Sequence, residues 1–155
     1  MFDTVVVATD GSESVKRAVD VTLDLADRFD ADVHALSVVD ASEVDASPQQ
    51  LRDELRTALE TTADAALATV EDRADEENAL TTAVREGRPA AEICAYARDI
   101  DADLIATGTR GRHGENRLLL GSVAERVVRS APVPVLTVRQ LETTDSDGET
   151  AAAGD

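Results

Sequence analysis

Apolar residues arrive along this chain in two rhythms. Short β-branched runs closed by turn residues, TVVVA (4–8) before TDGSES and DVHALSVVD (32–40), predict buried strands. LTTAVRE (80–86) is a weaker third run, DLIATGT (103–109) a fourth and VPVLTV (133–138) a fifth. Between them the spacing becomes that of amphipathic helices. Val15, Ala18, Val19, Thr22, Leu25, Ala26 and Phe29 keep that period up to residue 29, with Ser12 or Ser14 placed to cap the helix. After a polar loop, ASEVDAS (41–47), a long helix is expected from Pro48 to Glu77, its stripe made by Leu51, Leu55, Leu59, Ala63, Leu67, Val70 and Ala74. Pro89 opens a helix with Ile93, Cys94 and Ala97 inward, and SVAERVVRSA (122–131) forms the last.

Strands alternating with helices predict an α/β fold: a five-stranded parallel open sheet, Rossmann-like, with helices on both faces and right-handed crossovers. Ligands of such sheets bind outside the carboxyl ends of the strands, where the winding direction reverses. If the chain winds outward through strands two and three and returns to set strand four on the other side of strand one, the loops after strands one and four meet there. Residues 1–139 are read as one domain. Residues 140–155, LETTDSDGETAAAGD with the preceding Gln, lack apolar periodicity and read as an acidic disordered tail.

Composition sharpens this. Hydrophobic residues make up 43% of the chain but aromatics only 2%, with no Trp, so the core must be Val, Leu, Ile and Ala. The net charge is −17, and Lys16 is the only lysine among 15 basic residues. Acids spread along the whole chain with almost no lysine suit a hydrated carboxylate surface in a salt-rich, halophilic cytoplasm. Such a field repels nucleic acid and anionic membranes, so a phosphate-bearing ligand needs a place where the sign is locally reversed. Cys94 is the only cysteine, which excludes an intrachain disulfide and a cysteine-cluster metal site. The N-terminus lacks a basic start and long apolar run, and no stretch reaches the ~18 apolar residues of a membrane span, so a cytoplasmic protein is expected.

The local reversal lies in GTRGRHGENRLLLGS (108–122), where three arginines against Glu115 give +2. Its glycines run Gly108, two residues, Gly111, nine residues, Gly121-Ser122. Glycine lets backbone N–H groups approach an anion closely, and the following helix adds the partial positive charge of its first turn. Plainer readings stand beside this one. Ser122 and Glu125 make an S-x-x-E capping box, the arginines could face solvent, and His34 and His113 could be fillers. A Walker loop is absent, ATDGSES holds a single glycine where a dinucleotide fingerprint needs three, and no G-x-S-x-G elbow appears.

TGTRGRHGENRLLLGS after an ADLI strand, with VVVATDGSE at the start and APVPVLTV near the end, resembles the nucleotide-binding branch of the universal stress protein family over roughly residues 2–139. The resemblance implies strand order 3-2-1-4-5, a fold of the adenine-nucleotide alpha-hydrolase type, and ATP binding with Mg or Mn as accompanying cation. It assigns Asp10 to the adenosine part, Val38 to packing on adenine, and Gly108 and Gly111 to the borders of ribose and phosphates, with Thr109 and Arg110 between them. Gly121, Ser122 and Val123 are assigned to the phosphates through backbone amides and the Ser hydroxyl. Ala8 stands where the family often has Pro, and Thr107 where it often has Met, which thins the apolar wall near the base. The family also implies a homodimer through the Val133–Val138 edge strand and a stress-response, regulatory role as a nucleotide-dependent binding module. A slow Mg-dependent ATPase is the alternative: Arg110, Arg112 and His113 could stabilise charge, and Glu115 is a candidate base by position. An electron-transfer-flavoprotein-like or ATP-pyrophosphatase-like domain is a third reading; the latter needs an S-G-G-x-D-S loop after strand one, and TDGSES is not that loop.

Overall fold

A computed structural model describes residues 2–110 and 120–141. Five parallel strands, β1 (Thr4–Ala8), β2 (Asp32–Asp40), β3 (Leu80–Gly87), β4 (Leu104–Gly108) and β5 (Val135–Val138), form one sheet in the order β3-β2-β1-β4-β5. The expected order is therefore correct. β1 is the pivot: it pairs with β2 from Thr4↔Asp32 to Ala8↔Leu36 and with β4 from Val5↔Leu104 to Val7↔Ala106. Being covered on both faces, it is a continuous apolar run rather than an alternating one, and Val5, Val6 and Val7 are wholly buried.

Helices α1 (Lys16–Phe29) and α3 (Arg52–Arg73) cover one face, burying Val5, Val7, Val33, Ala35, Leu104 and Ala106 against Val19, Leu23, Ala26, Leu67 and Val70. Helices α4 (Pro89–Asp99) and α5 (Ser122–Ser130) cover the other, where Val6, Leu36 and Ile105 meet Ile93, Tyr96, Ala97 and Val127. Small residues at the centres of these contacts, Ala18, Ala26, Ala35, Ala97 and Ala106, let the layers approach closely, which is how a core with almost no aromatics stays filled.

Several local expectations are corrected. ASEVDAS is not a loop throughout: Ala41–Asp45 is a short helix, α2, whose N-cap Asp40 accepts from Ser42 N at 2.9 Å through Oδ1. The long helix starts at Arg52 after a 3-10 turn (Gln49–Leu51) and stops at Arg73, not Glu77. Past that point Asn78 Oδ1 accepts from Asp75 N (2.8 Å) and Asn78 N donates to Asp75 O (2.9 Å), a side chain diverting backbone groups the helix would need. Neither Ser12 nor Ser14 caps α1. A 3-10 turn (Glu13–Val15) leads into it, and the Arg17 amide donates instead to Gln140 Oε1 from the far end of the chain, at 2.9 Å. Phe29 and Leu51, expected inward, are both 48% exposed. The 142–155 part of the expected tail lies outside the described residues.

His34 is not an isolated filler. Its Nδ1 sits 2.8 Å from the hydroxyl of Tyr96, whose ring carries the Arg85 guanidinium at 4.9 Å, itself paired with Asp99 at 2.8 Å. Burial pushes the Tyr96 phenol above its ordinary 10.0, with Arg85 partly opposing. A raised folded value means that the native state holds the proton longer than the unfolded chain. The associated stability is therefore present below pH 10 and lost as pH climbs through the folded value. Tyr96 is the only tyrosine and there is no tryptophan, so its ultraviolet titration reads one residue. The native midpoint is expected above that of the urea-unfolded chain, and Tyr96→Phe should flatten the alkaline loss of stability; coincident midpoints would refute this.

Candidate functional site

The carboxyl ends of β1, β2 and β4 open onto a cavity of about 300 Å³ at the point where the chain reverses its winding. After β1 the chain turns sharply. Thr9 N still donates to Leu36 O (2.9 Å), Asp10 Oδ1 accepts from Ser12 N (2.9 Å), and Gly11 adopts φ +76° with its α-carbon turned to Ala66 of α3. A Cβ at Gly11 would stand 3.0 Å from that of Ala66, so a side chain is disfavoured both by torsion and by space.

After β4 the decisive contacts are made by one residue's backbone. Thr109 N donates to Val138 O of β5 at 3.2 Å, and Thr109 O accepts from Gly121 N at 2.6 Å. The second bond sets the start of α5 beside the end of β4. Gly108, ahead of it, is tightly enclosed: a Cβ there would lie 3.0 Å from Ser14 O, 3.3 Å from Arg110 O and 3.5 Å from Val15 Cα, so the backbone around it would have to give by a few tenths of an ångström. Its smallness thus joins the β1–α1 turn to the end of β4, the two loops that meet at the switch point.

Of the sequence-derived candidates, Ala8, Asp10, Val38, Gly108, Arg110, Gly121, Ser122 and Val123 all line this cavity. Thr109 does not; it shapes the wall through its backbone. Gly111 lies outside the described residues, as do Arg112, His113, Glu115 and Arg117. The capping-box reading of Ser122 is replaced. The N-cap of α5 is Gly121, with Glu125 N donating to Gly121 O at 2.9 Å, and Ser122 is the first helical residue with no side-chain cap bond. The amides of Ser122, Val123 and Ala124 thus belong to a first turn without intrahelical acceptors, at the cavity wall.

The fold agrees with comparison to known proteins. The model of the Universal stress protein family matches residues 1–139. The chain belongs to the universal stress protein family. A universal stress protein of Methanocaldococcus jannaschii is 39% identical over 142 residues, covering 90% of this chain and 84% of that protein. The solved structure of the hypothetical protein MJ0577 is similar with TM-score 0.81 and 25% identity, over 92% of this chain and 99% of that one. A universal stress protein crystallised in complex with cAMP is similar with TM-score 0.65 and 28% identity, over 90% of this chain and 98% of its own.

In this universal stress protein the cavity is lined by more than the glycine motif. Val15, Leu59, Thr62 and Ala63 come from the α1 and α3 side, Pro89 and Ile93 from α4, and Ser37, Asp40 and Glu43 from β2 and α2. Reading ASEVDAS as a loop concealed α2, and the stripe of α3 carried no sign of which turn would face a ligand. Ser37 did carry a signal: it is a polar residue near the carboxyl end of an otherwise apolar strand. The carboxylates of Asp10, Asp40 and Glu43 and the Arg110 guanidinium all belong to lining residues, alongside the first turn of α5 with its partial positive charge. Among the described residues no group of three or more His, Cys, Asp or Glu is arranged to hold a metal.

Gly108→Ala forces the Ser14 carbonyl to move. Overpacking of this kind costs about 1–3 kcal/mol, a fall in Tm of roughly 2–12 °C. Differential scanning calorimetry checks it, and an unchanged Tm would show that the β1–α1 turn yields freely.

Proposed function

We propose that this universal stress protein binds an adenine nucleotide, ATP carried with Mg²⁺ or Mn²⁺, and acts in the stress response as a regulatory module whose loaded and empty states other proteins read. The observation that carries the reading is the Thr109–Gly121 hydrogen bond, which brings both ends of the glycine motif and the free amides of α5 to one cavity mouth. A Cβ-free approach at Gly108, unpaired amides and a hydroxyl at Ser122 suit a polyphosphate. Gly121, Ser122 and Val123 would hold the phosphates, Asp10 the adenosine part and Val38 the base, with Ala8, Thr109 and Arg110 shaping and charging the wall between. Gly111 belongs to the same assignment by its place in the motif. The cation would come on the phosphates, which is how Mg²⁺ is commonly bound. A relative in complex with cAMP supports the nucleotide class.

The expected result by titration calorimetry with Mg²⁺ is that Ser122→Ala lowers ATP affinity about 10-fold, a charge-assisted hydrogen bond lost, while adenosine binding is unchanged. Equal losses for both ligands, or no ATP binding by the unaltered chain, would sink the assignment. Because the amides are local and the −17 surface is screened beyond about 3 Å at 1 M salt, ATP affinity is expected to hold as KCl rises from 0.1 to 1 M. Such tolerance fits the proposed salt-rich cytoplasm. Phosphate release in the same mixture decides between a binding module and a slow ATPase.

We further propose a homodimer through residues 133–138. β5 pairs with β4 along one side, and among the described residues no strand pairs with its other side, which leaves an apolar edge. Multi-angle light scattering on a chain ending at Gln140 should give twice the monomer mass; a monomer at high salt would rule this out.

A further inference from the structure

One cavity is lined from both faces of the sheet at the carboxyl end of β2: Ala8, Leu36, Val38 and Ile93 stand on the α4 side, and Thr9, Ser37, Val39 and Ala63 on the α3 side. The α3 side holds a hydroxyl that the fold does not use. Ser37 is only 3% exposed, yet its Oγ has no hydrogen-bond partner among the described residues. No fully enclosed polar side-chain atom among those residues lacks a partner, so the Ser37 oxygen must open onto the space beside it, which is the cavity. A hydroxyl that bonds to nothing in the protein and opens onto a cavity is available to whatever occupies it.

Its neighbour has the same character. Ala8 pairs with Leu36 and Thr9 N extends that ladder, so Thr9 and Ser37 stand side by side on the face that buries Val7 and Ala35. Thr9 Oγ1 accepts from Gly11 N at 3.1 Å, and its own proton has no acceptor among the described residues. Two adjacent hydroxyls thus line one stretch of the cavity wall, each able to donate to a hydrogen-bond acceptor on whatever enters it.

The sheet order says which part of a ligand arrives there. β2 lies two strands from β4, about 10 Å away at ~4.8 Å per strand, and the α5 amides follow β4. With phosphates on those amides and the sugar across β1, the base reaches β2. We propose that Ser37 is a specificity-determining residue that donates its hydroxyl proton to an acceptor atom of the bound base, with Thr9 as the second donor. This rests on the nucleotide reading above and adds a contact outside the glycine motif.

Titration calorimetry of the full chain with Mg·ATP and, separately, inorganic tripolyphosphate tests it. Ser37→Ala is expected to weaken ATP roughly 2- to 12-fold, to leave tripolyphosphate unchanged, and to leave Tm equal or higher because no protein partner is lost. Ser37→Thr, which keeps the hydroxyl, should stay within about twofold of the unaltered chain for ATP, a loss smaller than one weak hydrogen bond. Unchanged ATP affinity in Ser37→Ala, or an equal loss for tripolyphosphate, overturns the inference while leaving the nucleotide reading intact. Failure of the unaltered chain to bind ATP overturns both.

Discussion

The site depends on how the backbone of Thr109 is held. Its N–H is taken by Val138 of β5 and its C=O by Gly121, so a single residue fixes the end of β4 between an edge strand and the first turn of α5. Because of the short bond to Gly121, residues twelve apart in sequence become neighbours, and α5 starts at the sheet edge rather than away from it. Gly108 completes the arrangement from the other side. With no side chain, it lets the Ser14 carbonyl and Val15 pack directly on the strand end, so the β1–α1 turn and the β4–α5 connection share one wall.

The N-termini of α1 and α5 both lie at this edge, and the structure treats them differently. At α1 the Arg17 amide is taken by Gln140, and a 3-10 turn fills the approach. At α5 the N-cap is a glycine, Ser122 makes no cap bond, and the first-turn amides line the cavity. An anion therefore finds donors at α5, the reverse of a dinucleotide fold, where the first crossover supplies the phosphate site. In a chain of net charge −17, donors that carry no formal charge have a further advantage, since they need no arginine that the surrounding acids would neutralise.

Much of this was legible in the residues. TVVVA could only be a strand buried on both faces, and the glycine spacing marked where a loop had to approach something closely. What escaped were features decided at a distance. The ASEVDAS segment looks polar and loop-like, but Asp40 caps it into a helix and Val44 anchors it against Val39 and Ala63, so it becomes a cavity wall. Ser12 and Ser14 had the right chemistry to cap α1, yet the capping oxygen comes from Gln140, 123 residues on from Arg17. Ser122 and Glu125 had the spacing of a capping box, but Gly121 takes the N-cap.

By itself the sequence determined the five strands and the long helices between them, their order, the parallel sheet and the family, because hydrophobic period and glycine spacing are local properties written in adjacent residues. Only the tertiary structure decided which hydroxyls, amides and carboxylates share a cavity. Ser37 shows the reason: a serine in a strand carries no information about its partner until neighbouring strands and a facing helix either supply one or, as here, leave it on a cavity wall.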